Sequence, residues 1–296
     1  MEQKFRIIRN IRKLIHPPYG EIVELHRVVN QRSQLDENRV MEVTPDFLEQ
    51  TILKYQADGY QLFSLDDVQL QLKNRKCTSP KFVCFTLDDG YADNYDLAYP
   101  VFKRMNCPFA IYVTTDYPDQ KAQFWWYQLE DALFKNERLS INHIEYDCSD
   151  FEKKNRTFWE IRESVYSSQA EITLSALGQI FQENDCGVKV HALSWGQLIE
   201  LAQDPLCTIG AHTVSHASLP ALSDENIQKE LSDGKKRIED RINKPVNHFS
   251  YPFGNYDARV MGFVKELYST ATTTKDGFVQ KGENIYALKR KILFQL

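Results

Sequence analysis

No two cysteines in this chain are spaced as CxxC. The six thiols stand apart, at positions 77, 84, 107, 148, 186 and 207, and their spacing fits neither a disulfide framework nor a zinc ribbon. Cys84 and Cys107 lie inside apolar runs, FVCFT and NCPFAIYV. Scattered core thiols suit a reducing compartment, so a cytoplasmic location is expected. A secretory h-region is also missing, because the opening MEQKFRIIRNIRKLIHPPYG is basic and amphipathic. No apolar run reaches the length that spans a bilayer. Nor is there an excess of positive charge. Lys and Arg number 36 against 41 Asp and Glu, a net charge of -5, which argues against nucleic acid as a partner. Internal repeats and low-complexity runs are absent.

What is present is a chain of 296 residues, 42% hydrophobic and 26% charged, enough to bury a full core as one globular domain over 1–296. In the opening segment Lys4, Arg6, Arg9, Arg12 and Lys13 alternate with Phe5, Ile7, Ile8, Ile11, Leu14 and Ile15. Such a stripe packs a helix on its own domain or rests it on an anionic membrane surface as a peripheral contact.

Strands and helices alternate along the chain. EIVELHRVV (21–29) reads as a buried strand, and Thr44-Pro45-Asp46 as the start of a helix that ends near Gly59. KFVCFTLDDG is a strand running into an acidic loop, 95–105 a helix, and PFAIYVTT a strand. The rhythm returns in the second half. SWGQLIELAQ reads as helix, CTIGAHT as a strand end, 223–242 as a long helix and VNHFSYPFG as a strand end. RVMGFVKELY is again helical, and TATTT a strand. Repeated α/β units imply a parallel sheet with crossover helices, closed or nearly closed into a barrel. Residues 117–190 break the rhythm and read as a mostly helical insertion. Phe124, Trp125, Trp126 and Tyr127 within it could stack on a ligand or bury against the barrel.

Two pairs of residues carry chemistry. His212 and His216, in HTVSH, follow the strand end CTIGA, where α/β folds place functional loops. Imidazoles four apart can face one cation, through a helical turn or an extended loop. Asp88 and Asp89 follow FVCFTL. Adjacent carboxylates at the mouth of a buried strand repel each other and lose hydration. A bound cation removes that difficulty: one carboxylate can ligate the ion and the other can act on water. One Asp and two His leave coordination positions open, as a catalytic site requires. In FSYPFGNYD the Phe253 N–H could face a developing oxyanion, although an ordinary proline turn explains the segment better in isolation.

FTLDDG, GAHTVSH and FSYPFG, in this order, resemble the three motifs T-F-D-D-G, H-[ST]-x-x-H and R-x-P-Y of the polysaccharide deacetylases, carbohydrate esterase family 4. The likeness covers about 20–290 apart from the insertion. It implies a distorted (β/α) barrel that removes acetyl groups from N-acetylated sugars of a glycan or glycan precursor. It implies Asp88 as general base and Asp89, His212 and His216 as ligands of one divalent ion. Zinc is the expected ion, with Co2+, Ni2+ or Fe2+ accepted by the same donors. The Phe253 backbone becomes the oxyanion donor.

Two departures matter. Ser250 stands where the family has the Arg that orients its catalytic Asp. The family's final L-x-H is also missing, since ENIYALKRKILFQL contains no histidine. Leu25-His26 is the candidate replacement, so the chain resembles a circularly permuted branch with that strand first. His26 then becomes the general acid, because an expelled amine must be protonated and imidazole suits that task. His248 is second choice. The alternatives are a carbohydrate-binding relative without turnover and a metal-dependent amidase acting on a non-sugar substrate.

Overall fold

The computed structural model describes residues 19–74, 81–165, 170–187 and 190–295. The basic amphipathic N-terminal stretch, His16 and Cys77 lie outside them. Twelve strands are described: β1 (Gly20–Leu25), β2 (Arg27–Val28), β3 (Glu42–Val43), β4 (Gln61–Leu62), β5 (Phe82–Leu87), β6 (Phe109–Val113), β7 (Arg138–Ile141), β8 (Ile144–Asp147), β9 (Cys207–Ala211), β10 (His248–Ser250), β11 (Thr270–Asp276) and β12 (Leu288–Ile292). The α-helices are α1 (Asp36–Arg39), α2 (Pro45–Ala57), α3 (Leu65–Lys73), α4 (Tyr99–Arg104), α5 (Trp125–Lys135), α6 (Phe151–Val165), α7 (Ala170–Glu183), α8 (Trp195–Gln203), α9 (Asp224–Ile242) and α10 (Ala258–Leu267).

Strands β1, β12, β11, β10, β9, β6 and β5 pair in that order, and β5 pairs again with β1. The ring is therefore a closed seven-stranded parallel barrel. On the far edge of β5, β6 takes Phe85–Leu87 while the short β4 takes Phe82 and Val83. Parallel strands covered on both faces read as continuous apolar runs, and all six residues of FVCFTL are buried. Large rings fill the interior where glycines make room. A Cβ on Gly210 would fall 2.5 Å from the Tyr112 ring and 3.0 Å from the His248 carbonyl oxygen.

Local signals set the helix starts. The Thr44 side chain accepts from the Phe47 N–H, with Pro45 in the first turn of α2. Ser194 and Gln197 form a reciprocal capping box on α8. Ser223 caps α9, and Asn243 ends it in the left-handed region. No helix among the described residues is long and apolar enough to cross a membrane.

One expectation needs correction, and the structure adds two elements to the others. The run 21–29 is not one strand. It stops at Leu25, the last residue paired with β5, and then Arg27 and Val28 turn to pair with β3. His26 sits at that break. Residues 117–190 are mostly helical but also hold the hairpin β7–β8. Its two-residue turn, Asn142-His143, has positive φ at both positions (52° and 65°), the geometry that a tight hairpin turn favours. Finally, β12 adds a strand whose alternation is masked in the sequence by three consecutive basic residues in LKRKI. The insertion builds its own apolar cluster around Leu129, Leu133, Phe158, Ile161 and Leu177, which reaches the barrel loops through Leu35 and Tyr91.

Gly210→Ala should cost about 1–3 kcal/mol by overpacking, read as a lower urea midpoint. An unchanged midpoint would mean that Tyr112 yields freely.

Candidate active site

Asp88 and Asp89 leave β5 at the C-terminal rim of the barrel. The Asp88 N–H still donates to the Leu25 carbonyl (3.0 Å), continuing the β1–β5 ladder. Asp89 then takes φ 73° and Gly90 φ 78°. This left-handed turn brings two consecutive carboxylates into one cavity, where an extended strand end would point them to opposite faces.

His212 and His216 reach the same point from β9. They sit on a loop, not a helical turn, with Thr213 and His216 at φ 69° and 61°. Thr213 Oγ1 accepts from the His216 N–H (3.0 Å). Glu230 of α9 accepts from the Val214 and Ser215 N–H groups, both at 2.9 Å, and from the Ser215 hydroxyl at 2.7 Å. The helix comes this close because Gly234 faces the loop, where a Cβ would lie 3.1 Å from the Thr213 carbonyl carbon. His212 Nδ1 lies 2.7 Å from the Ser250 carbonyl oxygen, which fixes the tautomer and leaves Nε2 with its lone pair toward Asp89. Nε2 of His212 and of His216 stand 3.5 and 3.3 Å from Asp89 Oδ1.

Asp89 Oδ1 is buried with no hydrogen-bond partner, although two ring nitrogens face it. One oxygen and two nitrogens, all within 4.8 Å of one another, fit a single divalent cation with positions to spare. Burial lowers the pKa of both histidines to about 4; His216 adds to the effect on His212, and His26 and Arg162 to that on His216, against the pull of Asp88. Both rings are therefore neutral near pH 7, as ligands must be. Burial raises Asp89, His26 and His212 oppose that rise, and Asp88 adds to it.

The six residues singled out from sequence line one cavity of about 350 Å³. His26 stands at the end of β1, with a ring nitrogen within 4.8 Å of carboxylate oxygens of Asp88 and Glu24. Phe253 takes φ 58° in the 252–254 turn, and its ring packs on His216 at 4.6 Å. Gly254 pins that turn, since a Cβ there would strike the Thr274 hydroxyl. Trp125, Trp126, Phe158 and Arg162 of the insertion form part of the same wall. His248 is not in the cavity. Its ring is buried between Thr270 Oγ1 (2.8 Å) and Asp66 (3.1 Å).

The family model for polysaccharide deacetylase matches residues 75–271. The chain belongs to the polysaccharide deacetylase family. The Bacillus subtilis (strain 168) protein named "Putative polysaccharide deacetylase YxkH" is 24% identical over 234 residues, which are 79% of this chain and 59% of that protein. The chain thus spans about three fifths of that relative's length. Among solved structures, the Streptococcus pyogenes deacetylase PplD in complex with acetate superposes with a TM-score of 0.64 at 19% identity, over 93% of this chain and 92% of that one. IcaB from Ammonifex degensii gives 0.61 at 16%, over 94% and 93%. At these identities the likeness to the solved structures is one of fold.

Where the motif departs at Ser250, an arginine from β12 reaches the Asp88 carboxylate. Arg290 of β12 is fully buried and grips Asp88 with both arms, Nη1 to Oδ1 at 2.7 Å and Nη2 to Oδ2 at 2.6 Å. Nη2 also donates to Ser250 Oγ (3.2 Å), and that hydroxyl donates to Asp88 Oδ2 (3.3 Å). Nε donates to the Thr273 carbonyl (2.9 Å) and lies 3.3 Å from Glu24. Burial alone would raise Asp88, but the guanidinium wins and holds it well below the usual carboxylate range. Glu24, farther from the cation, is raised by burial. The period of two from the buried Leu288 is the signal that marks Arg290 as inward-facing.

Removing the guanidinium by Arg290→Met should cost about 3–5 kcal/mol at neutral pH, because it strands a buried charge. Without it the Asp88 pKa rises, so the deficit should narrow as pH falls and Asp88 and Glu24 take up protons. Denaturant unfolding across pH tests this, and a small, pH-independent deficit would refute it.

Proposed function

We propose that the protein is a metal-dependent deacetylase that hydrolyses the acetamido group of N-acetylated sugars in a glycan or glycan precursor. One observation carries the reading. A single cavity combines an open Asp–His–His donor set, a carboxylate held ionised beside it, and a histidine near that carboxylate. Asp89, His212 and His216 would hold the ion, with zinc the first candidate and Co2+, Ni2+ or Fe2+ chemically acceptable. When bound, such an ion supplies Lewis-acid chemistry, lowering the pKa of water and polarising a carbonyl.

The chain's own residues do the rest. Asp88 accepts a proton from the attacking water while Arg290 and Ser250 keep its oxygens aimed. The water oxygen bonds to the acetamide carbon, and the Phe253 N–H meets the developing oxyanion. His26 gives a proton to the nitrogen as the C–N bond breaks, so the products are acetate and a free amino sugar. The insertion narrows the cavity and shapes substrate choice. Among the described residues the buried thiols Cys84, Cys107, Cys148, Cys186 and Cys207 form no disulfide, which is compatible with a cytoplasmic site of action.

Two variants separate binding from chemistry. His212→Ala should lose stoichiometric zinc, measured by elemental analysis. Asp88→Asn should keep the metal and lose about 10²–10⁴-fold in acetate release, the usual cost of a missing general base. Full zinc in the first or near-normal turnover in the second would sink the assignment of that residue. A panel of N-acetyl sugars and non-sugar acyl amides distinguishes a sugar deacetylase from a general amidase.

His26→Ala should retain zinc and lose most of its turnover, since the missing group acts as a proton donor. Near-normal acetate release at full zinc content would remove His26 from the acid role.

A further inference from the structure

Two residues that line the cavity each carry a buried polar atom with nothing to bond. Asn38 of α1 is completely buried, and Trp126 of α5 is 9% exposed. The Asn38 amide nitrogen donates to the Trp126 carbonyl (3.3 Å) and to Glu130 Oε2 (2.6 Å). Glu130 also accepts from the Gln34 and Leu35 N–H groups (2.7 and 3.2 Å). A carboxylate offers only acceptors, so the amide nitrogen must face it and the orientation of Asn38 is settled. Its Oδ1 is left without a partner, and so is the Trp126 indole N–H. Buried donors and acceptors in folded proteins are almost always paired. Both residues line the cavity that contains Asp89, His212 and His216.

We infer that Asn38 and Trp126 form a specificity subsite for ring hydroxyls of the sugar whose acetamido group faces Asp89. This rests on the deacetylase reading above. The subsite lacks one donor and one acceptor, and a hydroxyl is both. Trp125 and Phe158 beside it present aromatic surface suited to the C–H face of a pyranose. A simple acyl amide has nothing to offer the pair. The two residues also act together, because Asn38 holds the backbone of Trp126. Neither belongs to any motif that brings the strand-end residues together.

Trp126→Phe deletes the N–H and keeps an aromatic ring. Asn38→Ala would also cut the anchor to Glu130, so the tryptophan variant is the cleaner probe. Zinc-loaded enzyme is assayed for acetate release from methyl N-acetylglucosaminide and from its 3-, 4- and 6-deoxy analogues. Binding of the parent sugar to metal-free protein is followed by calorimetry. Wild type should lose about tenfold in kcat/KM on one deoxy analogue, the scale of one hydrogen bond. Trp126→Phe should lose a similar factor on the parent sugar and nothing more on that analogue, with unchanged zinc content. Metal-free binding should weaken in parallel. Strictly additive losses, or equal kinetics for variant and wild type on every sugar, would overturn the subsite while leaving the deacetylase reading intact. Trp126-dependent sugar binding with no acetate released from any N-acetyl sugar would uphold the subsite and overturn the deacetylase reading.

Discussion

The buried pair of Asp88 and Arg290 is the constraint on which the rest of this molecule depends. A carboxylate taken fully out of water is tolerable only against a cation that is itself well bonded. Arg290 meets that condition by using every arm. It bonds Asp88 twice and also reaches Thr86, Ser250 and the Thr273 carbonyl. These partners lie on or just beyond β5, β10 and β11, so one side chain ties three strands to its own. Glu24 on β1 adds a second acid within 3.3 Å of the same guanidinium. Two carboxylates then compete for one cation. The closer is held charged, and the other drifts toward its neutral form.

Around this fixed point the backbone is bent in unusual ways. Asp89, Thr213, His216 and Phe253 all occupy the left-handed region, with φ between 58° and 73°. Each such residue costs on the order of 1–3 kcal/mol and persists only where its surroundings over-determine it. Here they do. Glu230 and Gly234 of α9 clamp the histidine loop, and the Phe253 turn is wedged against Thr274. The placement of Asp89, His212 and His216 is thus set by contacts within the protein.

Much of this was legible in the sequence, for identifiable reasons. Apolar runs ending in polar loops located β5, β9 and β10, and those loops carry Asp88, Asp89, His212, His216 and Phe253. His26 lies far from those loops in the sequence, and its place in the same cavity follows from β1 pairing with β5. Arg290 was not. A cation flanked by Lys289 and Lys291 looks solvated, and the period of two from Leu288 speaks only once β12 is known to be a strand of the closed ring. Asn38 and Trp126 were hidden for a related reason. Asn38 lies in a four-residue helix with no periodicity to read, and its unmet oxygen becomes visible only when Glu130, 92 residues away, has claimed the nitrogen.

The ring closes through β1 and β12, whose residues meet as Val23 opposite Lys291 and Glu24 opposite Ile292. Pairings between segments so distant in the chain form late and slowly during folding, because loop closure must come first. Until that happens, the free side of β1 is an unpaired strand edge able to recruit another chain. The same event delivers Arg290 to Asp88, 202 residues away. Closing the barrel and pairing Asp88 with Arg290 therefore join the same two distant parts of the chain. A partly folded chain exposes a sticky edge and, at the same time, leaves that carboxylate without its cation.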